Sequence, residues 1–268
     1  MRLIDSHAHL QADAFGRDAD EVVAAARAAG VERFLVPGWD ADSSLLSAAM
    51  AAASDIDASA GIHPHGAAEA TDEDWALIER LAGLPRVVAI GETGLDYDRG
   101  FSPRDVQLAN LRRHLALARD TGKPVILHCR SKPTEREAHD DLLRELSNAG
   151  AGSTNWPTPD GRPPALLHSF SGPFDYAEHA LEMGLAISFS GLAFRAGEEA
   201  TASVAAIVPA DRLLTETDSP YLSPPGAPRR RNEPRWVEVT TRWLAELRGV
   251  PFDVFGGRLV DNYDRIFR

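Results

Sequence analysis

The sequence predicts one α/β domain over residues 1–268, folded as a parallel (β/α)8 TIM barrel, on three observations. Short apolar segments that read as buried strands alternate with helix-patterned segments along the whole chain. Eight strand–helix units can be read in that alternation, the number that closes such a barrel. The length of 268 residues suits one barrel of about 250. An open doubly wound sheet is the alternative, and the lack of a glycine-rich dinucleotide fingerprint or a P-loop speaks against it.

Each element has a local reason. Leu3–Ser6 carries the apolar pair Leu3 and Ile4 between polar residues, a short buried strand. Asp18–Ala29 is a helix that Gly30 stops, and Arg33–Val36 is the next strand. Helix Asp42–Ala53, strand Asp57–Ile62, helix Asp72–Ala82 and strand Val87–Gly91 follow. In helix Pro103–Thr121 the residues Leu108, Leu111, Leu115 and Ala118 recur at the spacing of one buried face. Strand Val125–His128 leads to helix Glu135–Ala149, strand Ala165–His168 to helix Phe174–Met183, and strand Leu185–Phe189 to helix Glu198–Ile207. Strand Leu213–Thr217 precedes two last helices, Glu233–Leu247 and Phe252–Phe267. Ala149–Pro164, rich in Gly, Ser, Thr, Asn and Pro, reads as a solvated loop on the face opposite the active site.

Bulk chemistry narrows the function. Hydrophobic residues make up 44% and charged residues 25%, an ordinary composition for a water-soluble globular chain. No apolar run approaches the roughly 18 residues of a membrane span, and no basic-then-apolar leader opens the chain. A single cysteine, Cys129, fits a reducing compartment, so the expected location is the cytoplasm. Its side chain should face the helix layer as a buried, inert thiol. The net charge of −12 disfavours a broad basic face for duplex DNA, yet bound divalent cations can supply local positive charge to a phosphate substrate.

The C-terminal ends of barrel strands converge on one mouth, and here they carry a pattern. The first strand ends in His7 and His9, which point the same way because strand side chains alternate. The third ends in His63 and His65, the fourth in Glu92, Asp96 and Tyr97, the fifth in His128 and Arg130, the sixth in His168, and the eighth in Glu216 and Asp218. Six of the 9 histidines lie at these positions; His114, His139 and His179 fall in helices and read as surface or packing residues. A mixed His/carboxylate set suits Zn²⁺ or Mn²⁺, whereas Mg²⁺ prefers oxygen. Two such ions stabilise the attacking and leaving oxygens of an in-line displacement at phosphorus and lower the pKa of a bound water. Asp218 is the candidate general base as well as a ligand. Glu216, on the same side of its strand, is expected to sit deeper and orient a ligand.

Read together and in order, D-S-H-A-H-L, G-I-H-P-H, G-E-T-G-L-D-Y, L-H-C-R, H-S-F-S-G and T-E-T-D-S-P-Y-L resemble the TatD family of metal-dependent deoxyribonucleases, within the amidohydrolase-like superfamily. The resemblance runs from Met1 to about Phe267 and ends on N-Y-D-R-I-F. It implies a (β/α)8 barrel with two divalent metal ions: His7, His9 and Asp218 at one, His128 and His168 at the other, Glu92 bridging. It also implies a nucleic-acid substrate, DNA taken as single strands or 3′ ends. Three stretches depart from the family pattern: R-S-K-P after His128, R-R-R before Asn232, and the longer Ala149–Pro164 loop.

His63, Tyr97, Arg130 and Arg231 are the expected contacts to substrate, Arg231 as part of the basic run Arg229–Arg231 at the mouth. A C–N or ester hydrolase on the same scaffold, such as a D-aminoacyl-tRNA deacylase, is the competing reading. Many binuclear amidohydrolases bridge their metals with a carbamylated lysine; here Glu92 stands at that place, and Lys123 and Lys132 lie elsewhere. A non-catalytic metal scaffold is a third reading, disfavoured because every matched ligand is intact. No obligate protein partner and no membrane contact are evident.

Overall fold

A computed structural model describes residues 2–153, 156 and 161–268. Among the described residues eight strands occur in chain order: β1 (Leu3–Asp5), β2 (Val31–Pro37), β3 (Asp57–Ala60), β4 (Val87–Asp96), β5 (Val125–Arg130), β6 (Ala165–Leu167), β7 (Ala186–Phe189) and β8 (Leu213–Thr215). The helices between and after them are α1 (Ala19–Ala28), α2 (Ala41–Ala53), α3 (Asp72–Ala82), α4 (Arg104–Thr121), α5 (Glu137–Ala149), α6 (Phe174–Glu182), α7 (Thr201–Ile207), α8 (Val237–Leu247) and α9 (Phe252–Phe267). Neighbouring strands pair in parallel in the order β1 to β8. The two edges meet: Ser6 N–H donates to Thr215 O at 3.1 Å, Asp218 N–H to His7 O at 2.9 Å, and His9 N–H to Ser219 O at 2.8 Å. The sheet is a nearly closed TIM barrel, and the closing bonds lie at the C-terminal strand ends where His7, His9 and Asp218 sit.

Helix ends follow the local chemistry. Asp40 and Ser43 form a reciprocal cap at the start of α2, as do Thr71 and Asp74 at α3. Gly122, in the left-handed region at φ 67°, ends α4. Apolar side chains from α4 to α9 pack onto the outside of β4 to β8, among them Leu111, Leu115, Leu142, Tyr176, Val204 and Leu259. Tyr263 of α9 is fully buried, and its hydroxyl donates to Phe34 O and Asp57 Oδ2, each at 3.0 Å, tying the last helix to β2 and β3. Gly256 lets the same helix lie against the start of β1, since a Cβ there would collide with the Arg2 carbonyl oxygen.

The largest departure from the sequence reading is β4. Its glycines suggest an end at Gly91, yet the strand runs to Asp96 with all ten residues buried. Gly94 has φ 136°, and a Cβ there would strike the His128 carbonyl oxygen, so glycine is what lets β4 lie against β5. Here glycine marks a close backbone approach within a strand. Helix α7 starts at Thr201 and not at Glu198, whose carboxylate is taken by Ser171 Oγ at 2.7 Å. In the Ala149–Pro164 loop, residues 154, 155 and 157–160 lie outside the described residues. Among the described residues no helix is long and apolar enough to cross a membrane.

Candidate metal centre

The strand ends deliver their side chains to one point. Glu92 stands at its centre, its two carboxylate oxygens facing different partners. Oε2 lies 3.2 Å from His7 Nε2 and 3.9 Å from His9 Nε2. Oε1 lies 2.9 Å from His168 Nε2, 3.3 Å from His63 Nε2 and 3.4 Å from His128 Nδ1. Asp218 faces the first set, its Oδ1 3.3 Å from His9 Nε2 and 3.9 Å from His7 Nε2. The structure thus brings together all six residues expected as ligands.

The donor set fits divalent cations. Ligand atoms of His7, His9 and Asp218, of His7, Glu92 and His168, and of His63, His65 and His128 lie within 4.8 Å of one another in each group. Buried nitrogens facing Glu92, His7 Nε2 and His168 Nε2, meet no well-formed hydrogen bond. Uncompensated buried imidazole nitrogens are costly, and a cation on their lone pairs removes the cost.

Electrostatics draw cationic charge to this point: at His168 and His128 burial is outweighed by the facing carboxylates, which raise both imidazoles above their ordinary value. Burial opposes ionisation of Glu92, but the His168, His63 and His7 imidazoles outweigh it and hold the carboxyl well below its ordinary value. Asp218 is likewise held down, burial being overcome by its hydrogen bond to His9 and the nearby imidazoles. His7 is pushed down by burial and by His168, so it is neutral and its lone pair is free to ligate.

Supporting carboxylates lie behind the cluster. Glu216 is fully buried; its Oε1 is 3.2 Å from His168 Nδ1, and Ser188 Oγ donates to its Oε2 at 2.5 Å. Asp96 is a strand-end residue whose role the sequence does not reveal. Its Oδ1 accepts the Asp98 and Arg99 N–H groups at 3.0 and 2.8 Å. Its Oδ2 lies 2.7 Å from His65 Nε2 and 3.4 Å from His128 Nε2, so one carboxylate orients two imidazoles. The signal was the alternation Glu92, Gly94, Asp96 along one strand face, legible only once β4 is known to continue past Gly91.

The expected substrate contacts divide. His63 is at the centre and also caps the turn Pro64–Gly66: its Nδ1 accepts His65 N–H at 3.2 Å, leaving Nε2 to carry the ring proton. Burial pushes His63 down to about 4, so the ring is neutral. Arg130 is exposed and pairs with Asp98 at 2.9 Å. Tyr97 does not face the mouth: it alternates outward from Asp96, and its hydroxyl donates to Asp141 Oδ2 at 2.7 Å under the Arg104 guanidinium. The Arg231 guanidinium is engaged within the fold. It donates to Asp18 at 2.8 and 2.9 Å, to Glu233 at 2.9 Å and to Ala14 O at 3.1 Å, and stacks over Phe15, which makes it a strut between the mouth loops. Arg229 and Arg230 make no ion pair among the described residues and are exposed. Cys129 faces the helix layer against Tyr176, and burial pushes its thiol up to about 12.

Sequence and structure comparisons agree with this geometry. The family model described as TatD related DNase matches residues 4–268. The chain is 34% identical, over 99% of both chains, to the uncharacterized metal-dependent hydrolase YabD of Bacillus subtilis. It is 37% identical, again over 99% of both, to the 3′-5′ ssDNA/RNA exonuclease TatD of Erwinia amylovora. The crystal structure of YJJV, a TatD homolog from Escherichia coli K12, superposes with a TM-score of 0.84 at 28% identity, covering 99% of this chain and 98% of that one. With its whole barrel matched and the histidine–carboxylate cluster in place at the mouth, the chain belongs to the TatD-related DNase family.

Proposed function

We propose that this protein is a metal-dependent phosphodiesterase that shortens single-stranded DNA from its 3′ end. The observation that carries the reading is Glu92, whose two oxygens face two separate sets of imidazoles. His7, His9 and Asp218 would hold one divalent cation, His128 and His168 a second, with Glu92 shared. Cations held there supply charge against a phosphate and acidify a coordinated water. His63 is neutral and carries its proton on Nε2, 3.3 Å from Glu92 Oε1, so it offers a hydrogen bond at the centre, to that carboxylate or to a phosphate oxygen beside it, without adding charge. Asp218, partly open to the mouth and ionised, accepts the proton of the attacking water. Glu216 holds the His168 ring, and Asp96 those of His65 and His128, so the imidazoles need no reorganisation when substrate arrives.

The lysines support phosphodiester over amide chemistry. Lys123 Nζ donates to the Ala82, Leu84 and Val87 carbonyls at the opposite end of β4, and Lys132 pairs with Glu135 at 3.6 Å. Glu92 therefore takes the bridging place that a carbamylated lysine has in many amidohydrolases. The free thiol of Cys129 suits the cytoplasm.

End-labelled DNA and RNA oligonucleotides and a misacylated transfer RNA, each incubated with Mn²⁺, Zn²⁺ or Mg²⁺, test the reading. Stepwise loss from the DNA 3′ end is expected, abolished by chelator and lowered at least about 100-fold in Glu92→Gln, the scale of losing a group used in the transition state. Deacylation of the transfer RNA with the oligonucleotides left intact would overturn it in favour of the ester hydrolase.

A further inference from the structure

We propose that the cleft beside His9 seats the terminal nucleobase of the strand being cut, and that its acidic lining confines the enzyme to chain ends. The proposal rests on the phosphodiesterase reading and adds which part of the nucleic acid the protein grips.

The cleft encloses about 490 Å³, within the range of small-ligand sites, and Trp39, Tyr221, Arg230, Asp13, Asp40 and Asp42 are in its wall. It adjoins the metal centre directly. The Trp39 and Tyr221 ring centroids stand 5.2 and 5.8 Å from that of His9, so a phosphate at the centre places its own nucleoside at the cleft entrance. Tyr221 is 59% exposed, and Arg230 makes no ion pair among the described residues. Two aromatic faces and a free guanidinium form a stacking platform for a base of any sequence.

The three carboxylates give the cleft its selectivity. A nucleobase and a free 3′-hydroxyl are uncharged and enter it, whereas a further phosphodiester would be brought against Asp13, Asp40 and Asp42 in an already acidic protein. A strand that continues beyond the nucleotide in the cleft is therefore repelled, and a strand that ends there is accepted. Stacking on an aromatic side chain strengthens binding by about 5- to 150-fold per base.

Equilibrium binding to the Mn²⁺-loaded protein tests this without turnover. Calorimetric titration compares deoxyadenosine 5′-monophosphate with 2-deoxyribose 5-phosphate, which carries the same phosphate and no base. The nucleotide should bind at least about 5-fold more tightly, the preference should vanish in Trp39→Ala, and Trp39→Phe should retain most of it. Deoxyadenosine 3′,5′-bisphosphate should bind more weakly than the 5′-monophosphate, with the gap narrowed in the variant carrying Asp13→Asn and Asp42→Asn. Equal affinity for nucleotide and sugar phosphate, or a preference that survives Trp39→Ala, overturns the base seat. Equal affinity for the mono- and bisphosphate overturns the role of the acidic lining. Tighter binding of an aminoacyl ester of adenosine than of the nucleotide also overturns the proposal, assigning the cleft to an acyl group. Failure of the phosphodiesterase reading is seen separately, as intact oligonucleotides in the hydrolysis assay.

Discussion

His114 is the group whose titration should set how this barrel responds to acid. Its ring is fully buried on α4 against Trp75, with ring centroids 4.6 Å apart. Nε2 accepts the Ile62 N–H at 2.9 Å, while Nδ1 lies 2.8 Å from the Asn110 carbonyl oxygen and must donate to it. The neutral tautomer is satisfied at both nitrogens; a second proton would set an N–H against the Ile62 N–H. Burial pushes the folded pKa from the ordinary 6.5 down to about 4. Because the folded value is the lower one, protons bind the unfolded chain more readily. The stabilisation is complete above about pH 6.5, is lost as pH falls, and stops changing below about pH 4. The full difference is of order 3 kcal/mol, and about 2 kcal/mol of it is lost by pH 5. Urea unfolding at about pH 8 and pH 5, for the wild type and for His114→Gln, isolates the effect. The metal-centre imidazoles titrate in both proteins and cancel in the difference. The wild type should lose about 2 kcal/mol more than the variant on acidification. Parallel losses would refute the reasoning and show that His114 charges without penalty.

The other predictions concern the mouth. Asp96→Asn keeps the size of the side chain but removes the charge that orients His65 and His128; metal affinity or turnover should fall by about 10- to 100-fold with the circular dichroism spectrum unchanged, and unaltered metal titration would dismiss the role. Replacing Arg229, which is exposed and not in the cleft wall, with alanine should flatten the log–log salt dependence of KM on a short single strand by about 0.7, for one phosphate no longer neutralised. Arg231→Ala should leave that slope alone and lower the thermal midpoint, because its donors are spent on Asp18, Glu233 and Ala14. An Arg231→Ala slope change equal to that of Arg229→Ala would return it to the substrate.

The residues at the strand ends were legible because a parallel barrel makes position along a strand equivalent to position in the site. Once Leu3–Ser6, Val125–His128 and Leu213–Thr217 read as strands, His7, His9, His128 and Asp218 had to meet at one mouth, whatever the loops did. Strand alternation also placed Cys129 away from that mouth and Glu216 behind it. Family resemblance then rested on motifs that are themselves strand ends.

What chain order could not supply is which partner a side chain finds across the fold. Arg231 and Tyr97 lie near the mouth in sequence, but Asp18 and Asp141, far away along the chain, compete for them and win through short, charge-assisted hydrogen bonds. His114 has only a helix position in the sequence; the Ile62 N–H that it accepts comes from the segment just after β3. The cleft of Trp39 and Tyr221 is assembled from segments that follow β2 and β8, which become neighbours only when β1 closes the barrel between them. The sequence by itself determined the barrel, its periodicity and the chemistry at its mouth, because those depend on spacing along single strands. Only the tertiary structure decided which polar groups are spent on one another and which remain free to bind, because that depends on long-range pairing.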